Sequence, residues 1–260
     1  MKTLILTRAL FIKQLIEFRR YIFETVSGLV TLFLFFLALF YGAKAAMAGA
    51  SQVRLGDTLD ALVVGYILWV LAIFTYFSVA QDLIQEAQLG TLEQLAMSPL
   101  GLARVVLVRI FTGTLFQLFI MGILLILMML TTGKWLNLDL LSVLPLAILT
   151  IVGVVGLSLV MGGMAIVFKR VQSALQIMQM VFIACLAVPI SRFPALKYFP
   201  LAWGNQLLRQ VMADDKTIIE LPARDVGFLA AHAAVYLFVG LAIFKMFEKK
   251  ARSSGLLGHY

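Results

Sequence analysis

The sequence predicts an all-α integral membrane protein: six transmembrane helices, an N-terminal amphipathic interfacial helix, and short re-entrant or interfacial helices before the last span. Three observations lead there. The 260 residues are 62% hydrophobic and only 13% charged, with a mean hydropathy of +1.02, too apolar for a chain whose main solvent is water. The apolar residues fall into six uncharged runs, 25–43, 61–81, 110–133, 140–168, 171–191 and 226–244. Basic residues gather beside those runs, where they set orientation.

Each run is long enough to cross, given the roughly 20 residues needed to span a hydrocarbon core of about 30 Å at 1.5 Å per residue. The fourth and fifth are separated only by Lys169 and Arg170, which predicts a tight turn at one membrane face. Pro145 either kinks the fourth or marks where it begins. An even number of crossings puts both ends on one side. Residues 1–24 hold five basic residues, the Lys169–Arg170 turn two, and the tail from Lys245 four, whereas the first and third connections offer Lys44, Arg54 and Lys134. Both termini are therefore expected in the cytoplasm.

Before the first span, Leu4, Phe11, Leu15, Phe18 and Ile22 recur at helical spacing, with Lys13, Glu17, Arg20 and Glu24 on another face. Residues 1–24 thus read as a helix lying along the interface, its charged stripe arranged for the pairs Lys13–Glu17 and Arg20–Glu24. The basic residues are scattered among apolar ones without the order of a cleavable signal, so the first span is expected to stay. Residues 25–260 form one membrane domain, with no fixed-period repeat.

Several function classes lose support. The net charge is +8, but no basic cluster sits on an aromatic-bearing soluble module, so nucleic-acid binding is not expected; the basic residues instead attract anionic lipid headgroups. The single cysteine, Cys185, offers neither a disulfide nor a thiolate cluster. His232 and His259 stand apart, and paired metal-ligand spacings and G-x-S-x-G elbows are missing, so neither a catalytic nor a metal site is expected. The only Gly-Lys pair, Gly133–Lys134, is followed by Trp135 and not by Ser or Thr, so the chain itself carries no P-loop for ATP. Few charges lie within the spans, which disfavours an ion-coupled pump.

The informative stretch is residues 82–101, between the second and third runs. Asp82 and Glu86 continue the second helix, and Gly90 supplies the permissive backbone that ends it. Thr91 and Gln94 have capping-box spacing, so a short helix is expected with Leu92 and Leu95 on its apolar side. Ser98 before Pro99 reads as a cap followed by a first-turn proline, starting the next helix.

Glu86, Gly90, Thr91, Leu92, Glu93, Leu95, Ser98 and Pro99 spell E-x-x-x-G-T-L-E-x-L-x-x-S-P. This resembles the coupling helix of type-2 ATP-binding-cassette exporter permeases, in order, spacing and place. The resemblance extends to the interfacial first helix, the six spans and an extended outer segment, here residues 192–225, in which Trp203, Leu207 and Val211 fall at helical spacing. The stretch from Pro200 to Arg209 lacks that family's usual asparagine-proline opening. The resemblance implies a permease in the cell (inner) membrane, paired with a second copy or a similar permease. Two separate ATP-binding-cassette ATPase subunits would bind ATP and Mg, leaving this chain without a cofactor. Leu92, Leu95 and Glu93 would seat in a groove of that partner, so that its rotation moves the second and third spans as levers. The implied function is export of an amphiphilic small molecule, drug or lipid-like cargo. A polysaccharide or lipid-linked glycan exporter is the alternative within the class; an intramembrane enzyme or a non-transporting scaffold are the alternatives outside it.

Two stripes are candidates for a translocation path: Phe33, Phe36 and Phe40 with Tyr66 and Trp69 in the first two spans, and Gln172, Gln176 and Gln179 in the fifth. Both stripes are equally suited to helix packing. Gly153, Gly156, Gly162 and Gly163 in the fourth span are expected to admit close helix approach.

Overall fold

A computed structural model describes residues 2–47, 55–133, 135–168, 170–187, 193–214 and 216–254. Among them every regular element is helical: α1 (Lys2–Arg20), α2 (Ile22–Met47), α3 (Leu55–Gln88), α4 (Leu92–Ala96), α5 (Leu102–Thr132), α6 (Leu140–Phe168), α7 (Gln172–Ala187), a single 3₁₀ turn (Pro194–Tyr198), α8 (Pro200–Met212) and α9 (Ala223–Ser253). Arg54, Lys134, Lys169, residues 188–192 and His259 lie outside the described residues.

Among the described residues, five helices are long and apolar enough to cross a membrane: α2, α3, α5, α6 and α9. The run expected as the fifth crossing is helical over the 16 residues of α7, which at 1.5 Å per residue spans roughly 24 Å. Its last four residues belong to the undescribed segment.

The centre of the bundle is α6, which packs most extensively on α9 and then on α3 and α8. Its glycines are why. A Cβ on Gly240 would stand 2.1 Å from the carbonyl oxygen of Gly156, and one on Gly156 2.2 Å from that of Tyr236, so backbone meets backbone with no room for a side chain. At Gly162 an added Cβ would meet Val79 of α3 at 2.3 Å. Pro145 lies inside α6 and not at its start. The helix opens at Asp139, whose carboxylate accepts from the Leu141 N–H at 3.2 Å and the Ser142 hydroxyl at 2.5 Å.

The outer segment is folded against the core. Leu207 and Val211 of α8 are fully buried, and the helix packs on α6 and α3. The carbonyl of Tyr198 accepts from both His232 Nε2 at 2.5 Å and the Tyr236 hydroxyl at 3.1 Å, tying the 3₁₀ turn to α9.

At the other end, α1 packs on α5, with Phe18 and Phe116 edge to face at 5.1 Å. The Lys13–Glu17 pair forms at 3.5 Å. The expected Arg20–Glu24 pair does not: the helix breaks at Tyr21, and the Arg20 guanidinium instead lies 5.5 Å from the Tyr21 ring. A one-residue break disturbs the i, i+4 alignment on which such a pair depends.

Candidate functional site

The site is the projection between α3 and α5. Gly90, with φ of +70°, closes α3. Its N–H donates to Ala87 at 3.1 Å while the Thr91 N–H reaches back to the Glu86 carbonyl at 2.9 Å, the paired bonds of a Schellman ending. The chain then reverses into α4, five residues long.

Two local expectations are corrected. Thr91 does not form a capping box, since its side chain makes no cap bond; its hydroxyl donates to the carboxylate of Glu86. A group engaged behind the helix is withdrawn from the N–H groups in front of it. Nor does Ser98 start the next helix. Ser98 to Gly101 form a turn closed by the Gly101 N–H to the Ser98 carbonyl at 3.0 Å, with Pro99 at its second position. Gly101, at φ of +75°, is the residue that leads into α5.

Leu92 is also placed differently from expectation. It is 1% exposed and belongs to the core of this chain, so it anchors α4 to the bundle and is not offered to a partner. Leu95 is half-buried against the same core. The outward face is Glu93, Gln94 and Met97, the last 71% exposed. A five-residue helix has too few turns to bind two sides equally, and the bundle claims the apolar one.

Both ends of the projection are tied by arginines that the sequence reading did not single out. At the start, Arg109 of α5 donates to Glu86 Oε1 at 2.8 Å and lies 3.7 Å from Asp82. At the finish, Arg252 of α9 donates to the Ala96 carbonyl at 3.1 Å and to Glu248 at 2.5 Å. Three long helices thus hold a five-residue one. Two carboxylates one turn apart at a helix end signal a missing cation, and Arg109 supplies it. For Arg252 no local signal exists.

The two stripes lie elsewhere. Phe36, Phe40 and Tyr66 are buried between α2 and α3, where the Tyr66 hydroxyl donates to the Leu32 carbonyl at 2.6 Å. Phe33 and Trp69 pack partly buried beside them. This placement makes the aromatic stripe a helix seam within the chain. Gln172 and Gln176 are exposed, Gln172 accepting from Gln81 at 3.3 Å, and Gln179 lines a cavity between α3 and α5. Among the described residues no group of His, Cys, Asp and Glu could hold a metal ion.

Long apolar helices around a glycine-packed centre, with a tethered projection between two of them, define a multi-pass membrane protein. The chain belongs to the ABC-2 family of transporters: residues 47–242 match the model described as ABC-2 family transporter protein. It is an ABC-type permease. Membership implies an ATPase partner subunit and dimerisation, the permease being normally the non-catalytic subunit. No curated protein matches the chain.

Proposed function

We propose that this permease exports an amphiphilic small molecule, drug or lipid-like cargo, driven by two ATP-binding-cassette subunits that dock on α4 of each half of a permease dimer. The observation that carries the reading is the tethering of α4 to α3, α5 and α9, with Glu93, Gln94 and Met97 left outward. A knob so held transmits a push to three spans at once. ATP and Mg belong to the partner, and this chain contributes no catalytic group.

Chain parity supports six crossings with both termini cytoplasmic. Lys13 and Glu17 of α1 share a hollow with Asp82 and Glu86, and Arg252 near the far end of the chain touches Ala96. Both ends therefore sit beside α4, which an odd number of crossings cannot achieve. We assign the sixth to α7.

Purification of the tagged chain from native membranes tests the proposal. A soluble ATPase should accompany it, and Glu93→Ala should lower ATP hydrolysis by the complex several-fold without loss of membrane insertion. Unaltered hydrolysis in Glu93→Ala together with Met97→Ala would count against docking at α4.

A further inference from the structure

A cavity of about 550 Å³ opens between α1, α3 and α5, within the range of small-molecule sites. Its apolar wall includes Ile73, Phe74 and Phe77 of α3 and Phe116 of α5, and Asp82 and Arg109 stand at its polar end. Ile73 lies nine residues before Asp82 in a continuous helix, which sets these ends roughly 13 Å apart at 1.5 Å per residue. Phe74 is 47% exposed, so the apolar end meets the surrounding hydrocarbon. This is the shape of a site for a molecule with one polar end and one apolar end.

The charge of the polar end selects the sign. It continues into a second hollow of about 190 Å³, and the charged side chains lining the two are Lys13, Glu17, Asp82, Glu86 and Arg109: three carboxylates against two cations. Lys13 pairs with Glu17 at 3.5 Å, and Arg109 with Glu86 at 2.8 Å. Asp82 shares the Arg109 guanidinium with Glu86, so two carboxylates draw on one cation. Asp82 approaches that guanidinium at 3.7 Å, too long for a hydrogen bond; its side chain is 40% exposed, and it lines both hollows. A cluster with one carboxylate in excess of its cations, at the mouth of an aromatic-walled cavity, attracts a cation by charge and repels an anion.

We propose that the α1–α3–α5 cavity binds an amphiphilic monovalent cation, its charge beside Asp82 and its apolar body against Phe74, Phe77 and Phe116. The proposal rests on the exporter reading only for what happens after binding. It adds the sign of the cargo and an entrance at the α4 end of the bundle.

A matched pair of probes tests it: tetraphenylphosphonium and tetraphenylborate, alike in size and opposite in charge. The full chain in phosphatidylcholine nanodiscs should bind radiolabelled phosphonium saturably, and borate should not displace it. Asp82→Asn should weaken phosphonium binding by about tenfold, Asp82→Glu should recover most of it, and Phe77→Ala should weaken it several-fold. Equal binding of borate, or unchanged phosphonium affinity in Asp82→Asn, overturns the site. ATP hydrolysis by the assembled transporter is read separately. Saturable, Asp82-dependent binding without stimulation keeps the site and removes the exporter reading of it; stimulation that survives Asp82→Asn removes the site and keeps the exporter.

Discussion

Arg252, close to the end of the last long helix, donates a hydrogen bond to the carbonyl of Ala96, the final residue of α4, at 3.1 Å. The two are separated by 156 positions. The same guanidinium holds Glu248 one turn back at 2.5 Å, so the contact is braced from its own helix. Because α9 is locked to α6 at Gly156 and Gly240, this bond connects α4 to the centre of the bundle.

Arg252→Ala should therefore uncouple more than it unfolds. The Arg252 side chain is 47% exposed, so its ion pair stabilises the fold by no more than about 1 kcal/mol. Partner-dependent ATP hydrolysis should fall several-fold while the melting temperature shifts by only a few degrees. Arg252→Lys keeps charge but not the forked donor and should recover part of the activity.

At the other tether the balance reverses. Glu86 has a side chain only 16% exposed, and Arg109→Ala would leave it without its cation, a cost on the order of 2 kcal/mol. Glu86→Gln should be milder, and the double variant should be less destabilised than the sum. Thermal unfolding of all three in one detergent measures the coupling.

At Gly156 and Gly240 the α6–α9 contact admits no side chain. Gly240→Ala places a methyl group 2.1 Å from the Gly156 carbonyl oxygen, and overpacking of this kind costs about 1–3 kcal/mol. Gly227→Ala on the same helix meets nothing within 4 Å and should melt with the parent protein. Indistinguishable melting of the two variants would contradict the packing.

Gly90 is held at φ of +70°, where an L side chain is disfavoured by roughly 1 kcal/mol. Gly90→Ala should loosen the α3–α4 corner, read as faster protease cleavage between Gln88 and Leu92.

Much of this was legible in the sequence because its causes are local. The long apolar runs give α2, α3, α5, α6 and α9, and Gly90 marks the end of α3 through its own backbone freedom. The glycines of α6 likewise announced close packing, though not their partners. Where the sequence reading went astray, competition was decided by neighbours. Thr91 had capping spacing, but Glu86 took its hydroxyl. The spacing offers Leu92 to a partner, but the bundle takes its side chain. Periodicity placed Phe36, Phe40 and Tyr66 on shared faces without saying what those faces meet, and they meet one another. Arg252 carries no mark of its role, since a bond between residues so distant in sequence exists only once the helices have packed.

The central claim is that the outward face of α4 receives the ATPase. It is tested most directly by cysteine cross-linking in membranes containing both proteins. Met97→Cys, at a position 71% exposed on α4, should form an adduct with the ATPase that changes in yield when ATP is added. Trp135→Cys, 75% exposed beyond the far end of α5, should form none. An adduct at position 135 with none at 97 would contradict the account.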